Sequence, residues 1–225
     1  MSHFIVIEGL IGVGKTSLCR IIRDQWKADL ILEPADDNPF LASFYDNPDR
    51  FAFPAQMFYL ASRYAQQARL QQEELFTDLY VADYLFEKDQ LFAEQTLSGA
   101  ELDLYYHFAK LLGKGSVKPD FVLFLDAPTD VILSRINRRA ISSEQVIQPE
   151  YLDGLRRRYY RLWRKYDRAP VYKLDTTTWN YVDSEIDRDR ILKIIRDLLE
   201  RRAIDPALER VQNNTSAQLD MFENR

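Results

Sequence analysis

A single cysteine, Cys19, excludes any disulfide within the chain and fits a reducing, cytoplasmic setting. Its position in an amphipathic stretch makes it a small core residue rather than a nucleophile. Long apolar runs are lacking as well. None approaches the ~20 residues that a membrane-spanning helix needs, and Met1 to Glu8 is too short and too acidic for a signal peptide. There is no excess of positive charge: 30 basic residues stand against 35 acidic ones, a formal net charge of −5. A nucleic-acid polymer would find no basic footprint, whereas a small anionic or neutral substrate can still use a local basic cluster. Glycine is scarce, seven in 225 residues, yet three fall inside one run of eight. Internal repeats and low-complexity linkers are missing. The chain is therefore expected to be a soluble protein with no membrane partner.

With 46% hydrophobic residues the chain can build a sizeable core. Short apolar, β-rich runs alternate with longer stretches of helical period, the pattern of a mostly parallel sheet covered by helices. The strands are predicted at Phe4–Ile7, Leu30–Leu32, Asp78–Ala82, Phe121–Leu125 and Val171–Leu174. The helices are predicted at Lys15–Trp26, Pro39–Tyr45, Pro54–Glu74, Phe86–Leu97, Glu101–Leu112, Thr129–Arg139, Pro149–Asp167 and Asp187–Arg201. The expected architecture is α/β: a five-stranded parallel sheet with helices on both faces and a lid segment. Residues 1–204 make one domain with the lid at about 135–148. Residues 205–225 read as a mobile tail in which Leu219, Met221 and Phe222 could dock.

The run Gly9-Leu10-Ile11-Gly12-Val13-Gly14-Lys15-Thr16 follows the first strand and opens the first helix. This is the spacing of a phosphate-binding loop. Gly9, Gly12 and Gly14 let backbone N–H groups turn inward on phosphate oxygens, and the helix N-terminus adds partial positive charge. Lys15 is expected at the terminal phosphates and the Thr16 hydroxyl on Mg²⁺, with ATP as the bound triphosphate.

In doubly wound sheets ligands gather beyond the carboxyl ends of the strands. Three acids stand at such ends: Glu33, Asp83 and Asp126. Asp83 is the candidate metal residue, with helix capping before Leu85-Phe86 as a reading that does not exclude it. Glu33 can accept the proton of an attacking hydroxyl. Asp126 reads as a cap for the helix from Thr129. Gln56 and Arg63, seven residues apart, share one helix face. They can pair with a base edge, near the aromatic residues Phe51, Phe53, Phe58 and Tyr59. Arg135 to Arg139 end a helix before the irregular stretch 140–148, where cations suit a lid closing over phosphates. Arg156-Arg157-Arg158 reads as a solvated face.

These residues resemble the deoxynucleoside kinase family. The resemblance rests on the phosphate loop, Glu33-Pro34, Asp37-Asn38-Pro39-Phe40-Leu41, Phe44-Tyr45-Asp46-Asn47, Gln56 and Arg63. Ala82-Asp83-Tyr84 and Phe92-Ala93-Glu94-Gln95-Thr96-Leu97-Ser98 are similar to the bacterial deoxyguanosine kinase branch, and the likeness runs through Lys118-Pro119-Asp120 to Tyr151-Leu152. It spans roughly residues 4 to 200. It implies a P-loop kinase fold and transfer of the ATP γ-phosphate to the 5′-hydroxyl of a deoxyribonucleoside, in nucleotide salvage. It further implies Glu33 as general base, Tyr45 and Glu144 at the sugar 3′-hydroxyl, and Gln56 and Arg63 at the base. Arg139 matches a lid arginine on the phosphates, and a homodimer packed through helices is implied as well. Branch similarity favours deoxyguanosine, with deoxyadenosine as the second choice.

Two departures stand out. Many members carry an acid-Arg-Ser triplet where this chain has Ala82-Asp83-Tyr84, so no arginine clamps the 5′ region there. The lid has Ile141 and Ser143 where Arg and Glu are frequent, which shifts phosphate stabilisation onto Arg139 and Arg135. Two rival functions remain open: a nucleoside monophosphate kinase of the thymidylate kinase type, and a catalytically silent kinase-like subunit. Leu32 before Glu33 and Tyr84 after Asp83 disfavour the first; intact Lys15, Thr16 and Glu33 disfavour the second.

Overall fold

The computed structural model describes residues 2–33, 37–73, 77–141, 144–145 and 147–211, apart from the side chains at 45, 71–73 and 114. The strands are β1 (His3–Gly9), β2 (Asp29–Ile31), β3 (Leu79–Ala82), β4 (Phe121–Asp126), β5 (Val171–Asp175) and β6 (Leu208–Arg210), in the order β2-β3-β1-β4-β5-β6. The first five run parallel. The helices are α1 (Lys15–Trp26), α2 (Leu41–Asp46), α3 (Pro48–Glu73), α4 (Lys88–Thr96), α5 (Gly99–Leu112), α6 (Thr129–Arg139), α7 (Pro149–Lys165) and α8 (Glu185–Leu199), with a 3-10 turn at Gly113–Gly115.

The continuous apolar runs of β1, β3 and β4 place them at the sheet centre. Phe4 to Gly9, Leu79 to Ala82 and Phe121 to Leu125 are buried throughout, as expected of parallel strands covered on both faces. The helices lay apolar stripes against them. Leu18, Cys19 and Ile22 of α1 and Leu152, Leu155, Tyr159 and Trp163 of α7 are all at 0% exposure. Each such aliphatic side chain contributes about 1.5–3 kcal/mol through its removal from water. A second, smaller core joins α3, α4 and α5 through Leu60, Ala93, Leu97 and Tyr105. No described helix is long and apolar enough to cross a membrane.

The sheet has six strands rather than five. β6 runs antiparallel to β5, with Leu174 opposite Leu208 and Lys173 opposite Glu209. The Lys173–Glu209 ion pair at 2.5 Å supports that register. Three residues, two of them charged, carry no alternating pattern, so this short edge strand does not announce itself within the stretch read as a tail. Residues 212–225, including Leu219, Met221 and Phe222, lie outside the described residues.

The third helix starts six residues earlier than expected, at Pro48 rather than Pro54. Proline is suited to the first turn, and two candidates compete here. Pro48 takes that place, with the Asn47 carbonyl accepting from Arg50 and Phe51 N–H. Pro54 then sits inside the helix, where the burial of Ala52 and Ala55 outweighs one missing backbone bond. Similarly, Ser184 caps α8 by accepting from Asp187 N–H, so that helix begins at Glu185.

Gly9 joins β1 to the phosphate loop at φ 147°, a conformation that side chains disfavour. A Cβ there would press on the Leu125 carbonyl oxygen of β4 and lie 2.9 Å from Val13 Cγ1. Strand backbone cannot yield as a flexible side chain can. Gly9→Ala is expected to cost about 2 kcal/mol, a fall in Tm of roughly 4–8 °C for a chain of this size. Thermal unfolding checks this, and an unchanged Tm would show that the junction relaxes.

Candidate active site

β1 is the strand at which the sheet order turns back, so its carboxyl end opens on a crevice. The last side chain before the loop is Glu8, at 0% exposure. Its carboxylate accepts from Gly9 N–H (2.8 Å), Leu85 N–H (3.0 Å) and the Tyr159 hydroxyl (2.7 Å). One buried acid therefore pins the loop entry, the turn after β3 and helix α7 together. Gly14 at φ 110° leads into α1, whose first turn has neither a side-chain cap nor an acid. Its N–H groups are thus left to an anionic ligand. Lys15 Nζ donates to the carbonyls of Gly9 (2.9 Å) and Leu10 (3.0 Å). Burial and then the charge of Lys88 lower its pKa, against the pull of Glu8, Asp83 and Glu33.

Asp83 and Glu33 meet at this loop. The Thr16 hydroxyl donates to Asp83 Oδ2 at 2.5 Å, and Glu33 N–H donates to Asp83 Oδ1 at 2.8 Å. Both oxygens of Asp83 are engaged, and among the described residues neither caps the following turn. The pair Thr16–Asp83 presents two hard oxygen donors beside the phosphate loop. That suits Mg²⁺, which keeps several waters and takes phosphate oxygens rather than a full protein cage.

Glu33 is gripped by two cations. Arg63 donates to its Oε1 through Nη2, and Lys88 Nζ donates to its Oε2 at 3.0 Å. Burial opposes its ionisation, but Lys88 and Arg63 overcome that and hold the carboxyl well below the usual carboxylate range. Lys88, 2% exposed, lies 4.0 Å from Glu8 as well. Burial alone would lower the Lys88 pKa; Glu33 and Glu8 outweigh it and raise it. The other end of the Arg63 fork donates to Asp89, 1% exposed, which also accepts from the Tyr105 hydroxyl at 3.0 Å. The guanidinium stacks near the rings of Tyr59 (5.2 Å) and Tyr84 (5.5 Å).

Gln56 shares the Arg63 face of α3 and is buried, with its Nε2 donating to Thr96 Oγ1. Arg139 is exposed and pairs with Glu144 through both carboxylate oxygens. Arg135 points back into the fold. It donates to Val13 O (3.2 Å), Thr176 Oγ1 (3.1 Å) and Thr176 O (2.6 Å), tying α6 to the phosphate loop and to the chain after β5. A shallow cleft of about 390 Å³ lies there, lined among others by Arg135, Arg138, Thr177, Trp179 and Asn180. Tyr45 belongs to α2, but its side chain, like Pro34 and Ser143, lies outside the described residues.

The sequence model of the family described as deoxynucleoside kinase matches residues 5–200. The chain belongs to the deoxynucleoside kinase family. It is 32% identical to a deoxyguanosine kinase of Bacillus subtilis (strain 168), over 87% of this chain and 97% of that protein. It is also 32% identical to a deoxyguanosine kinase of Lactobacillus johnsonii, over 85% and 90% respectively. A deoxyadenosine kinase from M. mycoides with bound dATP superposes with a TM-score of 0.72 at 22% identity, covering 86% of this chain and 99% of that one. The fold is thus that of a P-loop kinase, and the chain is a deoxynucleoside kinase of the deoxyguanosine branch.

Two site assignments made from sequence change. Asp126 does not cap α6, which begins after Pro128 without a side-chain cap. Instead it accepts from Arg156 Nε (3.2 Å) and the Tyr160 hydroxyl (3.0 Å). Arg156 is correspondingly not solvated: it also donates to Thr129, Asp153 and the Ala127 carbonyl, joining α6 to α7. Three charged residues of this deoxynucleoside kinase went unnoticed in the sequence. Glu8 is overlooked at the end of an apolar strand run, and Lys88-Asp89 looks like an ordinary polar start of a helix. One available signal was an acid at the carboxyl end of the first strand, directly before the loop. Lys88 also alters the reading of the Ala82-Asp83-Tyr84 triplet: no arginine stands there, yet a lysine four residues beyond Tyr84 brings a cation to Glu33.

The depressed pKa of Glu33 has a defined effect on stability. Its ionised form is favoured in the fold, so its contribution is full above the ordinary value of 4.5 and is lost as pH falls below that toward the native value. Glu33→Gln removes this linkage. Its urea midpoint is expected to fall less than that of the unaltered protein between about pH 7 and pH 3.5; equal falls would show that Glu33 titrates normally.

Proposed function

We propose that this chain transfers the γ-phosphate of ATP to the 5′-hydroxyl of a purine deoxyribonucleoside, deoxyguanosine before deoxyadenosine, as a step of nucleotide salvage in the cytoplasm. The observation that carries the reading is the placement of Glu33, whose N–H is bonded to the same Asp83 that binds Thr16 of the phosphate loop. A carboxylate so placed can receive a hydroxyl proton beside the triphosphate. Family membership and the similarity to deoxyguanosine kinases support the acceptor class.

In this mechanism the N–H groups of the loop Gly9–Thr16 cradle the phosphates, and Lys15 exchanges its carbonyl contacts for phosphate oxygens. Thr16 and Asp83 would hold Mg²⁺, which neutralises charge on the transferring group when bound. Glu33 is a weak base, because Lys88 and Arg63 stabilise its charge. Weakness is compatible with phosphoryl transfer: in a loose transition state the nucleophile's proton leaves late, and a permanently ionised, well-placed acceptor suffices. Gln56 and Arg63 read the base, with Asp89 orienting Arg63. Tyr45 and Glu144 hold the sugar 3′-hydroxyl. Arg139 leaves its pairing with Glu144 to stabilise charge on the phosphates as the lid closes, and Arg135 fixes the hinge end of that lid.

The test is ADP formation from Mg-ATP with deoxyguanosine, deoxyadenosine, deoxycytidine, thymidine and the matching ribonucleosides. The expected result is turnover with purine deoxynucleosides, deoxyguanosine highest. Glu33→Gln should retain ATP binding and lose turnover by about 100- to 10,000-fold, the range for removal of a positioned base. Turnover with thymidine monophosphate and with no nucleoside would move the chain to the monophosphate kinases.

A homodimer is part of the same proposal. Leu104 (45% exposed), Phe108 (38%) and Leu111 (53%) follow at i, i+4 and i+7 along α5, one apolar stripe facing outward. Tyr64 on the adjoining α3 is 43% exposed. Sedimentation should give a dimer for the unaltered chain and a monomer for Leu104→Glu combined with Leu111→Glu. A monomer in both cases removes this part of the proposal.

A further inference from the structure

The Gln56 amide is held in one of its two orientations by a proton count. Thr96 ends α4, and its hydroxyl carries one hydrogen. That hydrogen goes to the Phe92 carbonyl four residues back, at 2.8 Å. Thr96 Oγ1 can then serve Gln56 only as an acceptor, and Gln56 Nε2 donates to it at 3.2 Å. Turning the amide over would set Gln56 Oε1 against Thr96 Oγ1 with no hydrogen between them. The surviving orientation leaves Oε1 looking for a donor. Gln56 is 5% exposed, and its Oε1 accepts from no group among the described residues. A buried carbonyl without a donor is costly and is rare in a settled core, which marks this one as reserved for a ligand.

We infer that Thr96 is a positioning residue that fixes the Gln56 amide with its carbonyl as the group offered to the acceptor, so that the enzyme selects nucleobases presenting an N–H donor to it. The inference rests on the reading of Gln56 as a reader of the base. A base edge carrying only ring acceptors can take at most the second N–H of Gln56 Nε2 and leaves the buried carbonyl unpaired. Thr96 does this without touching the acceptor.

The measurement is kcat/KM for deoxyguanosine and deoxyadenosine relative to purine 2′-deoxyriboside, whose base has ring acceptors and no N–H. The unaltered enzyme should prefer the N–H-bearing purines. Thr96→Val keeps the side-chain shape, loses the hydroxyl and frees the amide to turn, so that preference should shrink about tenfold, the weight of one hydrogen bond. Thr96→Ser keeps both hydrogen bonds and should restore it; Thr96→Ala gives the same readout as Thr96→Val should the latter be insoluble. A purely structural role for Thr96 would lower all three rates together and leave their ratios alone. Unchanged ratios in Thr96→Val, or a Thr96→Ser enzyme that behaves like Thr96→Val, would overturn the inference while leaving the kinase reading intact. No phosphorylation of any nucleoside by the unaltered protein would overturn the kinase reading itself.

Discussion

Everything at the carboxyl end of the sheet depends on keeping five charged side chains together, Glu8, Arg63, Lys88 and Asp89 buried and Glu33 half-buried beside them. Lys88 lies between Glu33 and Glu8, and Arg63 lies between Glu33 and Asp89. Three acids and two bases leave one negative charge in excess, and Glu8 is satisfied further by the N–H groups of Gly9 and Leu85 and by the Tyr159 hydroxyl. Removing one partner would strand the others, whereas replacing the whole set with apolar residues is often neutral or stabilising. Such a cluster is a poor device for stability alone. Its position beside a phosphate loop fits another purpose: it holds a carboxylate ionised where the proposed reaction has a hydroxyl lose its proton.

The arrangement also explains how separate elements are brought into register. Glu33 leaves β2, Arg63 comes from α3, Lys88 and Asp89 open α4, and Glu8 ends β1. Asp83 then ties this group to the phosphate loop through Thr16 and Glu33 N–H. Arg135 and Arg156 do comparable work at the far side, but with carbonyls and, for Arg156, the carboxylates of Asp126 and Asp153 as partners. Those bonds fix α6 and α7 against the sheet. The side of the crevice proposed for the acceptor is therefore held by buried charge, whereas on the side of the proposed lid Arg135 bonds to carbonyls and Arg139 is exposed.

Much of this was legible in the sequence because it is local. The loop Gly9–Thr16 is contiguous, and the ends of α1 and α6 agree with their periodicity and flanking residues. Glu33 and Asp83 could be singled out because each follows a strand. What stayed hidden was non-local. Lys88 and Glu33 are 55 residues apart, and Glu8 and Tyr159 are 151 apart. Nothing in the pattern around either end announces the partner. β6 was hidden for a related reason, since a three-residue edge strand is defined by its neighbour β5 and not by its own residues. Arg156 was misread because a run of three arginines on a helix looks solvated, and only the packing of α7 on α6 turns one of them inward.

Arg63 sits at the junction of the two tasks that the proposed reaction sets. One nitrogen of its fork meets Glu33, the proposed base, and the other meets Asp89 in the region assigned to the nucleobase. A side chain shared in this way cannot serve the two independently. A base that engages the guanidinium changes the field at Glu33, and a base that does not leaves the guanidinium on the carboxylate. Discrimination would then be expressed in the chemical step as well as in affinity, which is where selection by kcat/KM has its greatest reach. Gln56 differs in that respect: it touches Thr96 and no member of the charged cluster among the described residues. Its influence should fall on which base binds, while that of Arg63 should extend to how fast the bound nucleoside reacts.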